Sequence, residues 1–142
     1  MRLREVKGKM VDRDGQLDLT ILLQHRRIQM RAQAEAALTA AGCTVHVSSD
    51  GIQGLTQLMY LRPDIIITGI SMPQMDGLGF IEAVRRLEYL RAVPILVMSA
   101  NTSPVLKTRA RNIGASGWLR DPFSKEQLMA AIRAAVPVTG EG

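Results

Sequence analysis

The sequence predicts a doubly wound α/β fold built on a five-stranded parallel sheet in the order 2-1-3-4-5. Short apolar runs rich in β-branched residues alternate with segments of helical length and pattern, the signature of β-α units. Five such units follow one another between residues 19 and 136, with no internal repeat, low-complexity tract or second composition. The run Ile65-Ile66-Ile67 is apolar on both alternating faces, as a strand covered by helices on both sides requires.

Each element has its own local reason. Residues 1–18, MRLREVKGKMVDRDGQLD, mix charges without apolar periodicity and read as a flexible arm. LTILL (19–23) is the first strand. RRIQMRAQAEAALTAAG (26–42) is Ala-rich and closes on Gly42, a helix with a C-terminal stop. CTVHV (43–47) is the second strand, with His46 as a structural residue. SDGIQGLTQLMYLRP opens on a capping side chain and stops at Pro63, a second helix. DIIIT (64–68) is the third strand, followed by a loop in which Asp76-Gly77 is turn chemistry. LGFIEAVRRLEYL (78–90) is an amphipathic helix, and VPILVMS (93–99) a buried fourth strand. SPVLKTRARNIG (103–114) begins with a Ser cap and Pro in the first turn. SGWLR (116–120) is the fifth strand and SKEQLMAAIRAAV (124–136) the last helix. Residues 137–142 are a tail or linker.

Composition narrows the class further. The 142 residues fit one domain, here 19–136, large enough for a real core. Cys43 is the only cysteine, which excludes an internal disulfide and a Cys-based zinc site. No apolar run has the length of a membrane span, and the N-terminus lacks the apolar core of a secretory signal. A cytoplasmic protein is expected, with no membrane contact. The net charge of +5 is spread along the chain with few aromatics, so nucleic-acid binding is disfavoured but stays an alternative.

In a sheet of this kind, chemistry sits at the carboxyl ends of the strands. Those ends present Gln24-His25, Gly69, Ser99 and Asp121. From Leu19 to Val136 the chain resembles a response-regulator receiver domain of the chemotaxis-regulator type, a flavodoxin-like fold. The resemblance rests on MPQMDGL after the third strand, PILVMSA at the fourth, GASGWLRDPFS around the fifth, and the matching spacing of His25, Gly69, Ser99 and Asp121. It implies a switch in a two-component phosphorelay. In that family an aspartate ending the third strand takes a phosphoryl group from a histidine kinase. An acidic pair ending the first strand helps hold Mg²⁺, and a Ser or Thr and a Lys end the fourth and fifth strands.

This chain departs at nearly every one of those places. Gly69 stands at the phosphoacceptor position, Gln24-His25 at the acidic pair and Asp121 at the lysine, and only Ser99 keeps its type. Glycine cannot carry phosphate, and Gln with His makes a poor ligand set for a hard cation. The chain thus resembles a degenerate receiver, a pseudo-receiver. No catalytic residue, cofactor or metal is expected, and Gly69 is expected to leave space in the pocket. Asp121 could pair with His25 or with a neighbouring arginine such as Arg26 or Arg120, or face water with His25. A His25–Asp121 pair would raise the histidine's pKa.

The resemblance also points to a docking face formed by the fourth helix, fifth strand and fifth helix, where Trp118 holds the position of the family's aromatic switch residue. Lys107 and Arg111 share one side of that helix, and with Arg120 they could rim the tryptophan. Trp and Arg are enriched at interface hot spots. The expected function is phosphate-independent binding of a protein partner, a histidine kinase or another signalling protein with an acidic surface. Homodimerisation through the same face stays open. On that reading Trp118 and Arg111 matter and Gly69 tolerates change. The second alternative is a small-ligand sensor using the space at Gly69.

Overall fold

The structure, a computed structural model, describes the backbone of residues 3–6 and 9–12 and the whole of residues 17–136. In chain order the elements are β1 (Leu3–Val6), β2 (Lys9–Asp12), β3 (Thr20–Gln24), α1 (Ile28–Ala40), β4 (Thr44–Ser48), α2 (Gly51–Gln57) and β5 (Ile65–Thr68). Then come α3 (Gly77–Arg86), a 3₁₀ turn (Glu88–Leu90), β6 (Ile95–Ser99), α4 (Pro104–Asn112), β7 (Gly117–Arg120) and α5 (Lys125–Ala135). Strands β3 to β7 form one parallel sheet in the order β4-β3-β5-β6-β7, which is the 2-1-3-4-5 order the sequence predicts. Among the described residues no helix is long and apolar enough to cross a membrane.

Alternation along the strands sorts the core into two layers. Ile21, Leu23, Ile65, Ile67, Leu96 and Met98 face α1 and α5, packing on Ala34, Leu38, Leu128 and Ile132. Leu22, Ile66, Ile95 and Val97 face the opposite way, onto Phe80, Ile81 and Val84 of α3 and Leu58 after α2. The three isoleucines of β5 are fully buried, each contributing roughly 1.5–3 kcal/mol of burial. Cys43 is buried, and burial pushes its thiol up to about 11, so it behaves as a small hydrophobe.

Helix ends follow the local chemistry. Asp50, Asp76, Ser103 and Ser124 each accept a backbone N–H at the start of α2, α3, α4 and α5. Gly42, just past α1, has φ +101°, a conformation that favours glycine. α2 is shorter than the sequence pattern, ending at Gln57. Gly54 weakens it and Pro63 forbids its continuation, so residues 58–60 close as a turn.

Arg85, near the end of α3, ties the α3–β6 and α4–β7 connections together at the amino-terminal end of the sheet. Its guanidinium donates to the carbonyls of Gly114, Leu90 and Val93 at 2.7–3.1 Å. Within the expected arm, β1 and β2 pair antiparallel, Val6 opposite Lys9 and Leu3 opposite Asp12. Mixed charge hid this ladder, since a two-stranded ribbon needs no apolar face to be drawn, only paired backbone groups. The remainder of 1–16 and the expected tail at 137–142 lie outside the described residues.

Candidate functional site

The carboxyl ends of β3, β5, β6 and β7 bring Gln24, His25, Gly69, Ser99 and Asp121 into one neighbourhood, as the topology requires. Gly69 follows β5 and donates its N–H to the Gln24 carbonyl at 2.9 Å. Gln24 is fully buried. Its Nε2 donates to Thr68 Oγ1 at 2.9 Å, and its Oε1 has no donor. That oxygen lies against α2, where a Cβ on Gly54 would stand 2.0 Å from it. The loop after Gly69 closes on itself. Gly77 N–H donates to the Ile70 carbonyl at 2.7 Å, and a Cβ on Gly77 would stand 2.0 Å from the Gly69 carbonyl oxygen, which is why this turn needs glycine.

The space expected beside Gly69 is taken. A Cβ built on Gly69 would meet His25 Cδ2 at 2.9 Å and Nε2 at 3.4 Å. His25 is only 9% exposed and is pinned in place, because its Nδ1 accepts the Arg27 backbone N–H at 3.1 Å. The sequence expectation that Gly69 leaves room and tolerates change is therefore corrected: the neighbouring imidazole fills that room. Nothing in the sequence shows this, since a loop histidine after a strand reads as half-exposed.

Asp121 pairs with an arginine, as one alternative expected, but with Arg27 and not with either arginine named as an example. It is 7% exposed, and its Oδ2 accepts from Arg27 Nη2 at 2.5 Å, so the water-facing alternative and the His25 pair are replaced by an arginine pair. Arg27 directly precedes α1, and its fold position brings it across the sheet end to β7, a contact that sequence distance conceals. The pKa of His25 moves opposite to the paired expectation. Burial lowers it first and the Arg27 guanidinium second, while Asp121 raises it by less. Ser99 Oγ accepts from the Asn101 N–H at 3.1 Å, and the Ser99 carbonyl accepts from the Asp121 N–H at 3.0 Å. The Asp121–Pro122 peptide is cis.

These donors and acceptors do not fit Mg²⁺. The Gln24 amide nitrogen is bonded and its oxygen faces Gly54, the His25 nitrogen on the loop side is an acceptor already in use, and the Asp121 carboxylate is held by a guanidinium. A hard cation needs several free oxygens, and two arginines line this cavity instead.

At the face the sequence expects to dock a partner, Lys107, Arg111, Ala115, Ser116, Gly117 and Trp118 line a groove of about 240 Å³. Lys107 and Arg111 lie on one side of α4, as the spacing predicts. Trp118 is half-buried and, like Ile113 and Ala115, packs on the buried cluster of the α3 layer, and its Nε1–H is buried with no acceptor among the described residues. Arg120 is exposed and does not line the groove.

The family description "Response regulator receiver domain" matches residues 25–133. Protein PilG of Pseudomonas aeruginosa is 32% identical over 76% of this chain and 80% of its own. A probable chemotaxis protein CheY of Rhizobium etli is 31% identical over 82% and 91%. Among solved structures, the chemotaxis response regulator CheY4 of Vibrio cholerae superposes with a TM-score of 0.80 at 32% identity, covering 83% of this chain and 98% of that one. Strand order and these matches agree: the chain belongs to the response regulator receiver domain family of two-component signalling.

Proposed function

We propose that this chain is a pseudo-receiver, which signals by binding a protein partner and takes no phosphoryl group at the usual position. The observation that carries the reading is the pair Gly69 and His25. No side chain stands where the family's acceptor would be, and an imidazole fills the place. No other buried carboxylate in the described residues is free to substitute. Asp50 caps α2, Asp64 accepts the Thr20 N–H, and Asp121 is held by Arg27. Without phosphoryl contacts that differ between two states, phosphorylation cannot shift a population here.

Receiver domains are in general signalling domains, not enzymes, and work with signalling proteins such as histidine kinases. On this reading the partner docks on α4 and β7. α4 carries Lys107, Arg109 and Arg111 and no acidic residue, which favours an acidic protein surface, and Trp118 offers an aromatic anchor with an unmet donor beside the groove. Two similar proteins named for chemotaxis favour a chemotaxis-type pathway.

The test has two arms. Incubation with acetyl phosphate and Mg²⁺, followed by intact mass measurement, is expected to leave the mass unchanged; an acid-stable-gel or mass signal for a phosphorylated species refutes the reading. In the second arm, capture of a partner from native lysate by the untreated domain is expected to be lost with Trp118→Ala/Arg111→Glu. Equal capture by both removes this face.

A further inference from the structure

The five-stranded sheet has two edges, β4 and β7, and they differ in chemistry. A sheet edge offers unpaired backbone groups to any strand that can reach them, and charged side chains, proline or a bulge usually blunt it. β7 is blunted, because it carries Arg120, and Lys107 and Arg111 rim the groove beside it. β4, Thr44-Val45-His46-Val47-Ser48, has none of these devices. It holds no lysine, arginine, carboxylate or proline, and its register with β3 runs unbroken from Thr44 to Ser48. Among the described residues no strand lies on its outer side, and Val47 is 39% exposed.

The register fixes which backbone groups face outward. Thr44 N–H donates to the Leu19 carbonyl, and the Ser48 carbonyl accepts from His25 N–H. Residues 44, 46 and 48 therefore bond to β3, while Val45 and Val47 turn their N–H and C=O groups away from it. The Val47 carbonyl accepts from Gln57 Nε2 at 2.8 Å, a solvent-exposed bond, and the other three groups have no partner among the described residues. This pattern is complementary to itself. A two-fold axis through His46 sets Val45 opposite Val47 of a second copy, so that each pair exchanges both backbone bonds and His46 faces its own copy. The two Val45–Val47 pairs also cover the exposed valine.

Charge selects the occupant. From Gly42 to Leu61, β4 and α2 carry one formal charge, Asp50, which is buried as the α2 cap. In a chain of net charge +5, two copies meeting at α4 would set Lys107, Arg109 and Arg111 against themselves with no acidic residue on that helix. Two copies meeting at β4 oppose no such charges, and an acidic partner gains nothing there.

We propose that β4 is a homodimerisation edge, at which two copies pair their β4 strands antiparallel about His46 and join their sheets into one. The Gln57 carboxamide gives way to the Val45 N–H of the second copy. The pairing leaves α4 and β7 free at both outer ends, so it stands independently of the partner-docking reading.

Sedimentation equilibrium of the whole chain at neutral pH, from about 1 μM to about 1 mM, reads the assembly. The expected result is a reversible dimer, weakened at least about tenfold by Val47→Lys, which sets cations beside the two-fold at an exposed position. Register is read by His46→Cys. Opposed Cβ atoms of a non-hydrogen-bonded antiparallel pair lie about 4.5 Å apart, within disulfide reach, so mild oxidation should yield a covalent dimer. The parent, whose single Cys43 is buried, should give none. A chain that stays monomeric throughout, a dimer that Val47→Lys leaves intact, or a His46→Cys protein that does not crosslink overturns the proposal. A dimer altered by Arg111→Glu and not by Val47→Lys overturns it too, and assigns self-association to the α4 face.

Discussion

Gly69→Ala adds one methyl group at the centre of the site, and the structure fixes what it meets. The new Cβ would stand 2.9 Å from His25 Cδ2, well inside van der Waals contact. The backbone at residue 69 is outside the left-handed region, where among the described residues only Gly42, Gly114 and Gln74 have positive φ, so the penalty is steric alone. Either the ring stays and the site is overpacked, at about 1–3 kcal/mol, or it swings away and forfeits the Arg27 N–H bond, at about 0.5–1.5 kcal/mol plus lost packing. Both routes converge on about 1–2 kcal/mol. For a chain of this size that lowers Tm by about 4–8 °C. Thermal and urea unfolding followed by circular dichroism read the loss, and His25→Ala in the same chain should return most of it, as coupled neighbours do. A Gly69→Ala protein that unfolds within about a degree of the parent, or a double variant with purely additive losses, refutes the claim that His25 occupies this place.

Further outcomes follow from other contacts. His25 has a folded pKa below its ordinary 6.5, so the unfolded chain binds the proton first as pH falls; stability from this group is complete above 6.5 and lost as pH drops through the folded value. Urea midpoints across that window should fall in the parent and flatten in His25→Gln. Arg27→Ala leaves a buried carboxylate unpaired and should cost about 1–2 kcal/mol, discounted because Arg27 is half exposed, whereas Asp121→Asn leaves only a hydrated guanidinium and should cost less by the same urea assay. Arg85→Met strands three carbonyls and should lower the unfolding free energy by about 2–3 kcal/mol.

The fold was legible because periodicity and punctuation agree along the chain. Ile65-Ile66-Ile67, the capping Ser103 and Ser124, and the stops at Gly42 and Pro63 each state locally what the sheet does globally. The neighbourhood of Gln24, His25, Gly69, Ser99 and Asp121 was legible too, since parallel topology puts strand ends together. Partnerships within it were not. Three arginines lie within six residues of His25, and which one reaches Asp121 depends on how the loop turns into α1. Burial of His25 was equally hidden, because it follows from the missing side chain at Gly69, a relation between two residues that neither displays alone. The β1–β2 ladder escaped for a different reason: backbone pairing without a shared apolar face leaves no pattern in composition.

Arg85 gives the molecule a polarity of another kind. Its bonds run from a permanent cation to peptide carbonyls, so no proton in the ordinary range makes or breaks them, and they clasp the amino-terminal ends of β6 and β7. The opposite rim holds the titrating His25 and the salt-exposed Arg27–Asp121 pair. Acidification therefore loosens one end of the sheet while the other stays fastened. Amide hydrogen exchange across pH should divide the domain along that line, with protection fading at residues 24–27 and 120–121 and holding at residues 93–95 and 114–117.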